Sequence, residues 1–214
     1  MTRGNFSVAM TMSIVLCAFS LAGGGCITIT GESQEPDYFV LGNSSANSRS
    51  ETDLLDGKSF YFRQTEIPLY LDGTRMVTRT SGNQLTYAEF DRWSETLDLG
   101  VTRALADNLA ASLGTLNYSY YPNRTRPNNL FEISITAQRF ERVGAAKVVF
   151  KGSWRLFHQQ EQKLILPLKE TVAVNGPGHG SAVKAMGVLL ENISERISER
   201  IQTYLQEQAA LDTP

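Results

Sequence analysis

The chain has 214 residues, enough for one domain of ordinary size plus tethers, and its 42% hydrophobic and 20% charged content is that of a packed globular protein. A formal net charge of −2, with bases scattered among acids, gives no electrostatic footprint for nucleic acid. Both cysteines, Cys17 and Cys26, lie near the amino terminus, so the chain beyond them has no possible disulfide and no thiolate cluster for zinc.

The first stretch carries one charge, Arg3, followed by an apolar run from Phe6 to Ala22 and then Gly23-Gly24-Gly25-Cys26. A charged start, an apolar centre and small residues before a cut are the marks of a secretory signal. A signal that ends in small residues directly before cysteine resembles that of a bacterial lipoprotein. There the thiol receives a diacylglyceryl group, the chain is cut just before it, and the new amino group is acylated, commonly with palmitate. Gly24 and Gly25 supply the small side chains, while Gly23 stands where such signals usually have leucine. Cys17 follows Leu16 and does not fit. The expectation is a signal peptide over residues 1–25, lipidation at Cys26 and a polar tether over 26–36; the alternatives are an uncleaved membrane anchor and an ordinary secreted product. A single myristoyl chain binds membranes only marginally, at about 10⁴ per molar, so several chains on one residue hold permanently. Ile27 follows the cysteine where enterobacterial lipoproteins retained in the inner membrane have Asp. By that resemblance the address is the outer membrane.

Asp37-Tyr38-Phe39-Val40-Leu41 is a compact apolar run and reads as the first strand. Gly42 to Gly57, rich in Ser, Asn and charge, has loop chemistry. Lys58 to Ile67 alternates as a strand that Pro68 ends, and Leu69-Tyr70-Leu71 leads into an Asp72-Gly73 turn. Arg75 to Thr80 and Gln84 to Ala88 flank Ser81-Gly82-Asn83, whose Gly and Asn tolerate positive φ, so a hairpin is expected. Ser94 is placed to cap a helix running to about Leu113, with Glu95 near the positive end of its dipole. Leu97, Val101, Leu105, Leu109 and Leu113, with Ala104, form one apolar stripe, and Gly114 suits the stop.

Tyr118 to Tyr121 reads as a short strand before the turn-rich loop 122–129. Phe131, Ile133, Ile135 and Ala137 then alternate with Glu132, Ser134, Thr136 and Gln138, the pattern of a strand buried on one face. After a turn at Val143-Gly144, Ala146, Val148, Phe150, Trp154 and Leu156 point one way and Lys147, Lys151, Ser153 and Arg155 the other. Leu164, Leu166, Leu168, Val172 and Val174 repeat the scheme, with Pro167 on the opposite parity, which marks an edge or a bulge. Ser181 is placed to cap a final helix to about Gln208. Its stripe is Ala182, Ala185, Met186, Leu189, Ile193, Ile197, Ile201, Tyr204 and Leu205. One-sided strands and striped helices require each other. The expected fold is therefore α+β: a two-layer sandwich of a mainly antiparallel sheet covered by two helices, over residues 37–208.

Few residues invite chemistry. The loop 175–180, NGPGHG, shares glycines with phosphate-binding turns, but no strand follows to complete a βαβ unit and the P-loop lysine pattern is absent. His179 beside Ser181 invites a hydrolase reading, yet no G-x-S-x-G elbow is present and no acid nearby in sequence orients the histidine. His158 and His179 are the only histidines, and no carboxylates stand at ligand spacing. Trp93 and Trp154 read as core, and Arg196 with Glu199 as a weak surface pair. No catalytic residue, cofactor or metal is assigned.

Several pieces in order resemble the ABC-type transport auxiliary lipoprotein family. They are Tyr38 to Leu41; Pro68 with Tyr70-Leu71-Asp72; Met76-Val77-Thr78-Arg79; and Trp93-Ser94-Glu95-Thr96-Leu97, where Thr96 replaces the usual proline. Arg103-Ala104-Leu105, Asn108-Leu109, Arg139-Phe140-Glu141 and Trp154 complete the set. The resemblance implies a periplasm-facing outer-membrane lipoprotein that serves an MCE-type lipid-transport system and membrane integrity. It would dock the periplasm-spanning MCE assembly, which works with an inner-membrane ABC permease, and the resemblance extends to assembly in homo-oligomeric rings. The alternative is a lipoprotein of another class, an envelope assembly factor or small-ligand binder.

Overall fold

The computed structural model describes residues 34–42, 52–123 and 129–211. The expected signal peptide, Cys26, most of the tether, residues 43–51 of the first loop and 124–128 of the second lie outside the described residues. Among the described residues the strands are β1 (Asp37–Phe39), β2 (Ser59–Phe62), β3 (Arg75–Ser81), β4 (Gln84–Trp93), β5 (Tyr118–Tyr120), β6 (Asn129–Val143), β7 (Lys147–His158) and β8 (Glu161–Ala173). The helices are α1 (Leu97–Leu113) and α2 (Gly178–Leu211).

β6 is the axis of the sheet. One side pairs along its length with β7, which in turn pairs with β8. On the other side its first residues carry β2 and then β5, while its last residues carry β3, then β4 and β1. An isolated parallel bridge from Glu66 to Thr136 fills the gap between β2 and β3. The antiparallel pairings β3/β4, β6/β7 and β7/β8 are the long ones, and the parallel contacts are short. The expected α+β arrangement is present, with a mixed sheet. β8 is an edge strand, which accommodates Pro167.

The strand expected over 58–67 stops at Phe62. Beyond it the Thr65 N–H donates to Thr102 Oγ1 of α1 (2.8 Å) instead of a neighbouring strand. Within β6 the inward side runs Phe131, Ile133, Ile135, Ala137 and then Phe140, because the pairing with β7 slips between Ala137 and Arg139. This bulge reverses the parity of everything after it. Opposite it stands Gly152, where a Cβ would collide with the Thr136 carbonyl oxygen, so the bulge requires glycine at that position.

The expected stripe of α1 is buried throughout, and Thr102, Ala106, Asn108 and Ala110 are buried besides, because α1 packs against α2 as well as β5. Gly114 ends it in the left-handed conformation, φ 71°. The start differs from expectation. Thr96, not Ser94, precedes the first helical residue, and it makes no side-chain cap bond. Ser94 is still tied to the sheet, its N–H donating to the Phe39 carbonyl at 2.9 Å. Glu95 turns to Arg103, whose Nη2 donates to Oε1 at 2.6 Å. The long α2 also begins earlier than expected, so Ser181 is not its cap and its hydroxyl donates to the Pro177 carbonyl at 2.9 Å. The stripe of α2 is buried from Ala182 to Tyr204, with Leu205 partly covered. Trp93 and Trp154 are core residues, as expected.

Candidate functional site: the outer face of the sheet

The helices cover one face of the sheet and leave the other to polar side chains. At the start of β6, Arg63 Nε donates to Glu132 Oε2 at 2.7 Å, and the guanidinium lies 3.9 Å from the centroid of the Phe157 ring. Further along, Arg155 Nη1 donates to Thr136 Oγ1 at 3.0 Å, and that hydroxyl donates to Glu66 Oε2 at 3.0 Å. Near the end of the strand, Glu141 gathers three donors. Tyr70 Oη reaches its Oε2 at 2.7 Å, and Arg79 Nε and Arg139 Nε each reach Oε1 at 2.8 Å.

Local folding explains this convergence. The bulge in β6 sends Arg139 and Glu141 outward while Phe140 stays inside. Alternation along β3 places Arg79 on the same face, and the 3₁₀ turn Leu69–Leu71 brings Tyr70 to the carboxylate. Tyr87 Oη, from β4, donates to the Tyr70 carbonyl at 3.2 Å and ties the turn down. The Glu141 side chain is 0% exposed, against 16% for Arg79 and 34% for Arg139, so the arginines form the rim of the cluster.

Burial alone would raise the Glu141 carboxyl, but the bonds from Arg79, Tyr70 and Arg139 outweigh it and hold the group below its ordinary value. Burial, followed by the bond to Glu141, pushes the Tyr70 phenol up to about 12. Arg79 is raised as well, chiefly by its hydrogen bond to Glu141. The carboxylate is thus ionised at neutral pH, with its proton-accepting capacity already taken up. That is the behaviour of a structural anchor.

Where β2 ends, residues 63–67 border an open cleft of about 600 Å³ lined by Tyr61, Arg63, Glu66, Leu69, Asp98 and Tyr121. Leu69 is 87% exposed at its lip. Among the described residues there is no group of three or more His, Cys, Asp or Glu that could hold a metal.

The residues that invited chemistry are engaged elsewhere. His179 Nδ1 lies 3.0 Å from Asp91 Oδ2 of β4, an acid remote in sequence that local reading missed. Ser181 donates its hydroxyl to the Pro177 carbonyl, so the serine and the histidine each have a partner of their own. His158 Nδ1 meets Tyr204 Oη at 3.0 Å and ties β7 to α2. The glycine loop is a turn with Gly176 and Gly178 at φ 120° and 74°, and the Gly178 carbonyl accepts from Arg142 Nη1 at 3.1 Å. Arg196 pairs with Glu170 of β8 at 3.3 Å, in place of the expected Glu199.

The strongest cluster was scattered through the sequence. Tyr70, Arg79 and the pair Arg139 and Glu141 came from three separate pieces of the family resemblance, and the structure joins them around one carboxylate.

Two solved structures share this fold. An uncharacterized protein matches with a TM-score of 0.64 at 21% identity, over 78% of this chain and 99% of its own. A protein from Xanthomonas campestris matches with a TM-score of 0.61 at 10% identity, over 83% of this chain and 98% of its own. No curated protein sequence matches the chain. The family model of the ABC-type transport auxiliary lipoprotein component matches residues 41–198, and the chain belongs to that family. Among the described residues no helix is long and apolar enough to cross a membrane.

Proposed function

We propose that this protein is an outer-membrane lipoprotein, anchored through acylated Cys26 and facing the periplasm, that docks the periplasm-spanning MCE assembly of an ABC-type lipid-transport system. One observation carries the reading: the family domain, matched from residue 41, follows a stretch over residues 1–25 that resembles a lipoprotein signal and stands directly before Cys26. Transport auxiliary is the family's description, and the anchor is what the cysteine's context supplies.

The role is docking without chemistry on a substrate. A permanent anchor keeps the domain at the membrane surface, so meeting the MCE assembly becomes a local event at high effective concentration. The outer face offers partly exposed arginines, Arg63 and Arg139, on a rigid sheet, while Glu141 fixes the geometry beneath. Such charges govern encounter and register more than affinity. Copies arranged in a homo-oligomeric ring would multiply these contacts.

Affinity capture of the full lipidated chain from membranes tests the proposal. The wild type is expected to recover an MCE-domain protein, and Arg63→Glu combined with Arg139→Glu to lose most of it. Recovery of no MCE protein by a correctly acylated chain contradicts the docking role. Capture unchanged by the double variant removes the outer face from it.

A further inference from the structure

Away from the charged row, a second patch of the outer face is aromatic and basic. It lies at the strand that the tether enters. Along residues 37–41, Phe39 packs against the core and Leu41 is buried, whereas Tyr38 and Val40 are 67% and 52% exposed. β1 runs parallel to β4 with Tyr38 opposite Arg92 and Phe39 opposite Trp93. Opposed residues share a face, so Tyr38 and Arg92 point outward as Phe39 and Trp93 point inward. Arg92 in turn stands opposite Arg75 of β3, whose guanidinium lies 4.9 Å from the centroid of the Tyr87 ring. Arg92 Nη1 donates to the Ala88 carbonyl, and among the described residues no carboxylate pairs with either arginine. Asp91, the neighbouring acid, is on the other face with His179.

We propose that this patch touches the bilayer: Tyr38 and Val40 seat at the boundary of headgroups and acyl chains, and Arg75 and Arg92 meet lipid phosphates. The inference rests on the Cys26 anchor proposed above. From Cys26 to Asp37 the chain spans at most about 40 Å when fully extended, so the domain cannot stray much beyond its own width from the membrane. β1 is the strand nearest the anchor along the chain. Tyrosine, with an apolar body and a polar tip, favours the membrane–water interface, and arginine is drawn to anionic lipid. A specific protein interface buries about 800 Å² and roughly 20–30 residues per partner, against the four side chains of this patch. A lipid contact has no such requirement, because the anchor supplies the affinity and the patch sets only orientation.

The test uses the full lipidated chain carrying Tyr38→Trp in vesicles of phosphatidylethanolamine and phosphatidylglycerol, some brominated on the acyl chain near the headgroup. Trp93 and Trp154, 5% and 2% exposed, are shielded from the quencher by the core. Trp at position 38 is expected to lose most of its emission. An Ile165→Trp variant provides the contrast. It sits on the outer face of β8, five strand spacings or about 24 Å from β1, and should lose little. Adding Arg75→Glu to the Tyr38→Trp chain should weaken the quenched state by about fivefold.

Flotation with the vesicles reports the anchor separately. If the chain floats but position 38 is not quenched, the anchor stands and the membrane face is overturned. A position-38 tryptophan shielded equally without brominated lipid marks a protein contact and overturns it too. A chain that does not float overturns both.

Discussion

The two faces of β6 differ by a single residue step along one strand. Inward, Phe131, Ile133, Ile135 and Phe140 are each no more than 1% exposed beneath the helices. Outward, Glu132, Thr136, Arg139 and Glu141 are held by directed bonds to Arg63 and Glu66 beyond β2, to β3 and β7, and to the turn at Tyr70. Packing on the inner side is non-directional and tolerates volume-conserving exchange. Charge pairing on the outer side depends on which groups meet at which angle. The comparison teaches that non-directional packing and directed pairing are divided between the faces, with the bulge after Ala137 as the device that keeps them apart.

The largest expected effect comes from thinning the inner face. Phe140 packs its ring 5.7 Å from that of Phe150, and Phe140→Ala should cost about 3–5 kcal/mol, read from the chemical-denaturation midpoint. A loss below about 1 kcal/mol would place the ring outside the core that α2 covers. Next comes Glu141→Ala, which leaves Arg79 and Arg139 together without their carboxylate. The expected loss is about 2–3 kcal/mol, less than for a wholly buried pair because the arginines reach solvent. If it matched Phe140→Ala, the outer cluster would be as much a core as the inner one.

Gly152→Ala tests the bulge that separates the faces. Its methyl group would meet the Thr136 carbonyl and crowd Phe150 Cε1 at 3.1 Å, so a loss of about 2 kcal/mol is expected by the same denaturation measurement. A neutral result would show that the bulge is not fixed by close approach.

The smallest effect is a pH dependence. Glu141 is held below its ordinary value of 4.5, so on acidification the unfolded chain takes up this proton first. Its stabilisation is full well above that value and is lost as pH falls through the folded one. Tyr70 runs the other way. Its phenol moves from 10.0 to about 12, so its contribution is full below pH 10 and declines as pH rises toward 12. Glu141→Gln should flatten the acid limb of stability against pH, and Tyr70→Phe the alkaline limb. Unchanged limbs would detach the cluster from the folding equilibrium.

The inner face was legible because it is periodic. Leu97 to Leu113 and Ala182 to Tyr204 announce helical stripes, and Phe131 to Ala137 a one-sided strand. The outer cluster was not, because strict alternation carried past Gln138 would turn Arg139 and Glu141 into the core. Only the slip against β7 reverses them, and its local sign was Gly152, a residue with many other uses. Helix starts failed for a related reason. Ser94 has the right chemistry for a cap, but its backbone extends the pairing of β4 with β1 to the Phe39 carbonyl, and the helix begins only at Leu97, with Thr96 before it. His179 and Asp91 meet through tertiary packing that no local spacing encodes. The family was legible in the order of small motifs, and the matched span of residues 41–198 bears that out.

The central claim, a family domain held at the outer membrane by its first mature residue, is tested most directly by the mass of the amino-terminal peptide from protein extracted with purified outer membranes. The account predicts a chain beginning at Cys26, with a diacylglyceryl group on sulfur and an acyl group on nitrogen. A chain that still begins at Met1, or one whose Cys26 sulfur is free, would contradict it.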